Sequence, residues 1–201
     1  MSDMYVISTG RNASEHVKSC IESVMSQSVQ PREHILIDDI SDDDTLAHLE
    51  SYKNLKNLQI VINKERKYRL KNIYETAINK NPEDIICIVD SDDWLARNNA
   101  LEIVKNTYDS NKKLEYVYSR YALTHGALGC SRRIPTADWD PYSSGWITSH
   151  MSTFKAKVIK DIPIKNFLDW NNEWFQIATD HALTLPILHK LKTRDGDYSA
   201  V

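Results

Sequence analysis

Short apolar runs alternate with helical patterns through the first 120 residues, and this alternation constrains the fold more than any other feature of the chain. Five runs predict strands because they are rich in apolar and β-branched residues and are too short for independent helices. These runs are Met4–Ser8, His34–Ile37, Leu58–Ile62, Ile85–Val89 and Glu115–Tyr118. Strand–helix alternation of this kind predicts an α/β fold with a mostly parallel sheet that is covered by helices on both faces.

The helices between these strands are predicted from apolar residues at helical spacing. The first helix carries one apolar stripe formed by Val17, Cys20, Ile21, Val24 and Met25. Asn12 and Glu15 resemble a capping box at its start. A second helix is expected to begin near residues 43–45. Further helices are expected to cover about residues 68–79, 98–108, 156–161 and 179–190.

The composition indicates a globular chain and argues against several function classes. With 201 residues, 41% hydrophobic and 26% charged, the chain suits a single domain that buries a substantial core. A net charge of −3 gives no indication of a nucleic-acid surface. No apolar run approaches the roughly 20 residues that span a bilayer, and no signal peptide is visible. Three scattered cysteines favour reduced thiols, and hence a soluble cytoplasmic protein.

Polar residues follow three of the predicted strands. Residues 8–11 (STGR) follow the first strand, Asp38 and Asp39 follow the second, and residues 90–93 (DSDD) follow the fourth. Ligands of open α/β sheets bind beyond the carboxyl ends of the strands, so a parallel sheet would bring these clusters to one edge. Each cluster also has a purely structural explanation, either as a turn or as carboxylates that cap a helix N-terminus.

The DSDD segment is the hardest of the three to explain by capping alone. Asp90 and Asp92 alternate like strand residues and would share a face, where like charges repel unless a cation or a shared proton offsets them. Mn²⁺ and Mg²⁺ take oxygen ligands, and Mg²⁺ commonly binds one or two carboxylates together with substrate phosphates. The pair therefore favours a divalent cation that bridges the protein and a diphosphate.

Three motifs occur in the order YVISTGRN, SVMSQSVQPREHILIDD and VDSDDWL. In this order and spacing they resemble the motifs of family-2-type glycosyltransferases of the GT-A fold, which usually read P-T-Y-N, S-V-L-N-Q-T-Y with D-D-G-S, and L-D-S-D-D-W-L. The resemblance covers about residues 4–110 and implies a nucleotide-sugar donor, usually UDP-linked, with Mn²⁺ or Mg²⁺. The chain departs from the pattern in lacking the proline, in placing Arg11 where tyrosine is common, and in placing Ile40 where glycine is common.

The resemblance implies a donor site when its motifs are carried over by position. Thr9 and Arg11 would lie along the nucleotide, and Asp39 would hydrogen-bond the uracil ring. Lys71, with Arg69 as a rival, would approach the nucleotide or the diphosphate. The predicted donor site also includes Ser8, Ser91 and His150.

The resemblance also implies metal ligands and a catalytic base. Asp92 would be the principal metal ligand, Asp90 would contact the metal or the ribose, and Asp93 would lie nearer the sugar. Asp180, in the segment QIATDHALT, would deprotonate the acceptor hydroxyl in an inverting transfer, since such a reaction needs one positioned carboxylate. It could instead be a carboxylate that only opens a helix.

The expected function is therefore the transfer of a hexose from a UDP-sugar to a glycan or glycoprotein hydroxyl. On this interpretation residues 1–120 form the nucleotide-binding half of one domain, and residues 121–201 form the acceptor and catalytic half. The polar tail could fray or lead into a following domain. The chain also resembles the first domain of a glycosyltransferase that a large chlorella virus encodes, which implies UDP-glucose or UDP-rhamnose as donor.

Two other functions stay open at this point. A non-catalytic domain could bind a nucleotide sugar without turning it over. A sugar-phosphate nucleotidyltransferase shares a related sheet, but such an enzyme normally carries a glycine-rich loop after its first strand, and STGRNASEH contains a single glycine.

Overall fold

A computed structural model of the chain describes residues 2–135 and 138–195. Its sheet has six strands in the order β3-β2-β1-β4-β6-β5. The strands are β1 (Met4–Gly10), β2 (Glu33–Asp38), β3 (Leu58–Ile62), β4 (Ile85–Ile88), β5 (Tyr116–Tyr118) and β6 (Ser152–Lys155). The α-helices are α1 (Val17–Met25), α2 (Thr45–Glu50), α3 (Tyr68–Ala77), α4 (Ala100–Ser110), α5 (Ala156–Lys160) and α6 (Thr179–Asp195), with a short 3₁₀ helix at Ile164–Phe167.

The first four strands form the parallel part of the sheet. β1 pairs in parallel with both β2 and β4, and β3 pairs in parallel with β2, whereas β6 runs antiparallel to β4 and β5. This arrangement confirms the predicted α/β class with a mostly parallel sheet. All five predicted strands are present, with ends that differ by no more than two residues.

Each face of the sheet buries its own set of helices because side chains alternate along a strand. Ile7, Ile37 and Ile88 belong to a core that includes buried residues of α3, α5 and α6. Val6 and Cys87 face the other way and pack with residues of α1 and α4. Thr9 therefore lies on the α3 side of β1, two residues beyond Ile7.

The strand order reverses between β1 and β4, and this is the place where open α/β sheets bind ligands. The segment after β4 packs tightly against the end of β1 there. A Cβ atom added to Gly10 would lie 1.7 Å from Ser91 Oγ, so only glycine fits at this position. Gly10 and the buried Ser91 thus hold the DSDD segment against β1.

The structure differs from the sequence-based expectation at the start of the first helix. The capping box at Asn12 and Glu15 is wrong, because α1 starts at Val17 without a side-chain cap. Asn12 instead adopts a φ of 57° and pairs through its side chain with Asp42.

The last helix is longer than predicted, and the chain between β5 and β6 is mostly irregular. α6 continues to Asp195, and the rest of the tail that was expected to fray, residues 196–201, lies outside the described residues. Between β5 and β6, one isolated bridge joins Ala122 to Leu128 in the described part of the segment. None of the helices in the described ranges is long and apolar enough to cross a membrane.

Candidate functional site

Arg69 joins two acidic residues that are far apart in the sequence. It lies in the first turn of α3, and its Nε donates a hydrogen bond of 2.6 Å to Asp90 Oδ1. Its Nη2 lies 2.8 Å from Asp180 Oδ1, in the first turn of α6. Burial lowers the pKa of Arg69, but the charges of Asp90 and Asp180 more than offset this and raise it above its ordinary value. The guanidinium is therefore a permanent positive charge between the two carboxylates.

Asp90, Asp93 and His150 form a group that could hold a metal ion. One ligand atom from each lies within 4.8 Å of the other two. His150 Nδ1 is 4.0 Å from Asp90 Oδ2 and 3.7 Å from Asp93 Oδ2. Two ligands of one small divalent cation can be at most about 4.2 Å apart, because each bond is about 2.1 Å long. Both distances from His150 fall below this limit, and Arg69 bonds the Asp90 oxygen that does not face His150.

The electrostatics of Asp93 agree with this grouping. Burial raises the pKa of Asp93, His150 opposes the rise, and the charges of Asp90 and Asp92 add to it. Burial is the largest cause of the rise, and the neighbouring carboxylates add to it. Asp92 is exposed and does not belong to the group, although it was the predicted principal ligand. Its role as a metal ligand stays a prediction.

Asp39 is buried and surrounded by hydrogen-bond donors from the segment that leads into α3. Its Oδ1 accepts hydrogen bonds from Asn63 Nδ2 at 2.7 Å and from the Lys67 amide at 2.9 Å. Its Oδ2 accepts one from the Tyr68 amide at 2.9 Å and lies 3.3 Å from Arg66 Nε. Burial alone would raise the pKa of this carboxyl, but the hydrogen bonds lower it below its ordinary value. Asp39 thus fixes the start of α3, and its predicted contact with uracil stays a prediction.

Replacing Asp39 with alanine is expected to lower the free energy of unfolding by about 2–4 kcal/mol, because buried amide groups of Lys67 and Tyr68 would lose their acceptor. Since the pKa of Asp39 is lowered in the folded state, its contribution is present above pH of about 4, the ordinary value, and is lost as the pH falls through the lowered value. Urea denaturation between pH 3 and pH 7 would measure both effects.

The matched control is Asp42→Ala, which removes an exposed carboxylate that pairs with Arg11 at 2.7 Å. Such exposed pairs contribute about 1 kcal/mol or less. Equal losses of stability in the two variants would contradict the structural role of Asp39.

Thr9 lies close to Asp39 in the structure, and two asparagines connect them. Asn72 Nδ2 lies 3.3 Å from Thr9 Oγ1, and Asn63 Nδ2 donates to Asn72 Oδ1 as well as to Asp39. The two asparagines were not predicted as site residues. Asn63 follows β3 directly, so its place at a strand end was the available signal.

Ser8 points to the opposite face of the sheet from Thr9. Its hydroxyl lies 2.8 Å from His34 Nε2 and 3.4 Å from Cys20 Sγ, and all three residues are buried. Burial lowers the pKa of His34 to about 3, so the imidazole is neutral. The structure therefore gives Ser8 a packing contact, and its predicted donor contact stays a prediction.

Two other predicted donor ligands already have partners. Arg11 Nε donates to the Ile40 carbonyl at 2.7 Å, and its Nη2 pairs with Asp42. Lys71 Nζ lies 3.9 Å from Glu75, one turn further along α3. These contacts are partly or fully exposed to solvent, so both side chains stay candidates for a nucleotide contact.

Aromatic residues contact two histidines of the candidate site, and another is exposed. Trp146 stacks on His181 with ring centroids 4.0 Å apart, and Tyr121 meets His150 edge-on at 5.5 Å. Trp170 is 88% exposed and lies between Leu168 and Trp174, which form an isolated bridge. An exposed tryptophan can stack on a sugar ring.

The family is shown by comparison with known proteins. The model of Glycosyl transferase family 2 matches residues 5–171, which is most of the chain. The chain belongs to glycosyl transferase family 2. A comparison with curated proteins gives no significant match. As a member of this family, the chain carries the predicted D-S-D-D segment beside the switch point of its sheet.

Solved glycosyltransferase structures share the fold. TarS residues 1–349 from S. aureus, in complex with UDP-GlcNAc, has a TM-score of 0.63 and 18% identity; the alignment covers 96% of this chain and 53% of that one. The mannosyltransferase PcManGT from Pyrobaculum calidifontis, in complex with GDP-Man and Mn²⁺, has a TM-score of 0.61 and 14% identity, with 99% and 54% covered.

Glucosyl-3-phosphoglycerate synthase from Mycobacterium tuberculosis, in complex with UDP, has a TM-score of 0.59 and 13% identity, with 97% and 67% covered. At these identities the likeness establishes the GT-A fold. The chain spans little more than half the length of the first two structures.

Proposed function

We propose that this glycosyltransferase moves a hexose from a UDP-sugar to a hydroxyl of a glycan or glycoprotein acceptor, with inversion at the anomeric carbon. The observation that carries the proposal is the shared use of Arg69. One edge of its guanidinium binds Asp90 of the candidate cation site, and another binds Asp180, the candidate base. A cation site for the diphosphate and a carboxylate for the acceptor, both held by one guanidinium, suit a displacement at the anomeric carbon.

The proposed reaction assigns a separate task to each part of the site. Asp180 takes the proton of the acceptor hydroxyl, and the acceptor oxygen forms a bond to the anomeric carbon. The bond from that carbon to the β-phosphate oxygen breaks, and its electron pair leaves with UDP. When bound, Mn²⁺ or Mg²⁺ would offset the charge that builds on the diphosphate.

Asp90, Asp93 and His150 would hold the cation. The imidazole favours Mn²⁺ over Mg²⁺, because nitrogen ligands suit transition metals better than magnesium. Arg69 would keep Asp90 aligned, because its Nε donates a hydrogen bond to Asp90 Oδ1. The exposed Trp170 offers a surface on which an acceptor sugar could stack.

Thermal denaturation tests the donor and the metal together. UDP with Mn²⁺ is expected to raise the melting temperature by about 5–10 °C at a concentration of about 100 times Kd, because ligand that binds only the folded state stabilises it. UDP with a chelator should give a much smaller shift. Equal shifts with and without the chelator would contradict a bridging metal.

A panel of UDP-glucose, UDP-rhamnose, UDP-GlcNAc and GDP-mannose, followed by a hydrolysis assay on each ligand that binds, would identify the donor. A stronger shift with GDP-mannose than with every UDP-sugar would contradict UDP as the nucleotide. The viral resemblance and a cytoplasmic location stay predictions.

The second candidate function is a non-catalytic domain that binds a nucleotide sugar. It would give the same thermal shifts without turnover. The position of Asp180 beside Arg69 favours the enzyme, because a binding domain has no need for a carboxylate there. A sugar-phosphate nucleotidyltransferase, the other alternative, would release pyrophosphate from a nucleoside triphosphate. A pyrophosphate assay would detect this product.

A further inference from the structure

The start of α3 is built to aim Arg69 at the site. Tyr68, the first residue of the helix, has a φ of 61°, which a bulky residue seldom adopts. The turn is held by Asp39, which accepts the amide hydrogen bonds of both Lys67 and Tyr68. Leu70, the residue after Arg69, is fully buried and fixes the rotation of the helix. The backbone of Arg69 is therefore set from both sides.

The side chain of Arg69 connects two segments that lie far apart in the sequence. Asp90 follows β4, and Asp180 lies in α6, 90 residues further along the chain. Arg69 Nε donates a hydrogen bond of 2.6 Å to Asp90 Oδ1. Arg69 Nη2 forms an ion pair with Asp180 Oδ1 at 2.8 Å. Because a guanidinium is planar and its N–H groups point in fixed directions, binding two carboxylates also sets the distance between them.

The side chain is mostly sheltered from solvent, with 18% of its surface exposed, whereas Asp180 is 40% exposed. The third guanidinium nitrogen, Nη1, is buried and finds no acceptor among the described residues. A buried charged donor of this kind is not explained by packing. Asp180 is the more accessible partner, so its carboxylate can be reached by an acceptor hydroxyl from solvent.

We infer that Arg69 is a positioning residue that orients the carboxylate of Asp180 relative to the cation site at Asp90, Asp93 and His150. This inference rests on the proposed function. The positive charge of Arg69 also offsets the repulsion between the carboxylates of Asp90 and Asp180, because it contacts both. Arg69 would therefore hold the base in place relative to the cation site without itself taking the proton.

A double-mutant cycle tests this inference. Arg69→Met, which removes the charge and keeps much of the volume, should lower kcat by about 10- to 100-fold, because a misplaced catalytic group costs that much. KM for the donor should change by less than about threefold. In the Asp180→Asn background the same substitution should lower kcat by less than about threefold, because the carboxylate that Arg69 orients is already lost. Both backgrounds are measured at enzyme concentrations high enough to follow the slow variant.

Two further variants keep the test decisive. Arg69→Lys retains the charge without the planar geometry, so kcat should fall while folding and UDP binding with Mn²⁺ persist. Lys80→Met is the matched control, since Lys80 has the same 18% side-chain exposure and pairs with Glu33 at the other end of the sheet. It should leave kcat unchanged.

The outcomes separate this inference from the proposed function. If Arg69→Met and Arg69→Lys lower kcat by the same factor in both backgrounds, Arg69 does not act through Asp180 and the inference is overturned. If KM rises while kcat holds, Arg69 binds the donor and the inference is equally overturned. Full activity of Asp180→Asn alone would instead overturn the assignment of the base in the proposed function.

Discussion

Asp180→Asn is expected to lower the rate of sugar transfer by at least about 100-fold, because positioned general bases contribute roughly 10²- to 10⁴-fold to such reactions. Asparagine has nearly the same shape, and its oxygen can still lie against the guanidinium of Arg69, whose Nη2 is 2.8 Å from Asp180 Oδ1. We therefore expect folding and nucleotide binding to survive. The measurement is kcat for transfer, together with the melting temperature in the presence of UDP and Mn²⁺.

Asp161→Asn is the matched control for this variant. Asp161 follows α5 and is exposed to solvent, and it lies 92 positions after Arg69 in the sequence. The substitution removes the same charge and should leave kcat unchanged. An Asp180→Asn enzyme with wild-type kcat would show that another group takes the proton, whereas loss of UDP binding would show that Asp180 supports the donor site.

The fold of the first 120 residues could be predicted well because its signals are local. Apolar runs such as Leu58–Ile62 are strands in the structure, and Val17 starts the first helix of the predicted stripe. The sheet edge that collects Thr9, Asp39 and Asp90 follows from parallel topology alone. The capping box failed for a reason outside local sequence, since Asn12 bonds to Asp42 in another loop.

The choice between Arg69 and Lys71 could not be made from the sequence. Both are basic, and they lie two residues apart in the same helix, which places them about 200° apart around its axis. The direction in which each points depends on how α3 packs on the sheet. Burial of Leu70 and Ile73 sets that rotation, so Arg69 reaches Asp90 and Lys71 lies near Glu75.

The candidate cation site was predicted only in part, because one of its residues, His150, comes from the irregular segment between β5 and β6. His150 lies 57 positions after Asp93, in a segment without periodicity, yet the two approach to 3.7 Å. Strand alternation favoured Asp92 as the partner of Asp90. That alternation does not continue, since β4 ends at Ile88 and the chain turns at Asp90–Asp93. Past the end of a strand, the period of two no longer decides which side chains share a face.

The turn after β4 leads to a second prediction with a large effect. Asp93→Asn is expected to remove most of the Mn²⁺-dependent part of the thermal shift with UDP and to weaken Mn²⁺ binding by at least about 10-fold. The reason is that Asp93 contributes one of three ligand atoms that lie within 4.8 Å of one another. His150→Gln should act in the same direction, because it removes the imidazole that approaches both carboxylates.

Asp92→Asn is the control that gives this test its force. It removes the same charge one residue away in the same turn, so any effect of net charge alone would be equal in the two variants. Asp92 is exposed and outside the group of candidate ligands, and we expect its variant to keep most of the Mn²⁺-dependent shift. Mn²⁺ binding can be followed directly by calorimetry. If Asp92→Asn loses Mn²⁺ binding and Asp93→Asn keeps it, the strand-like alternation of Asp90 and Asp92 is the correct description of the metal site, and the group with His150 is not.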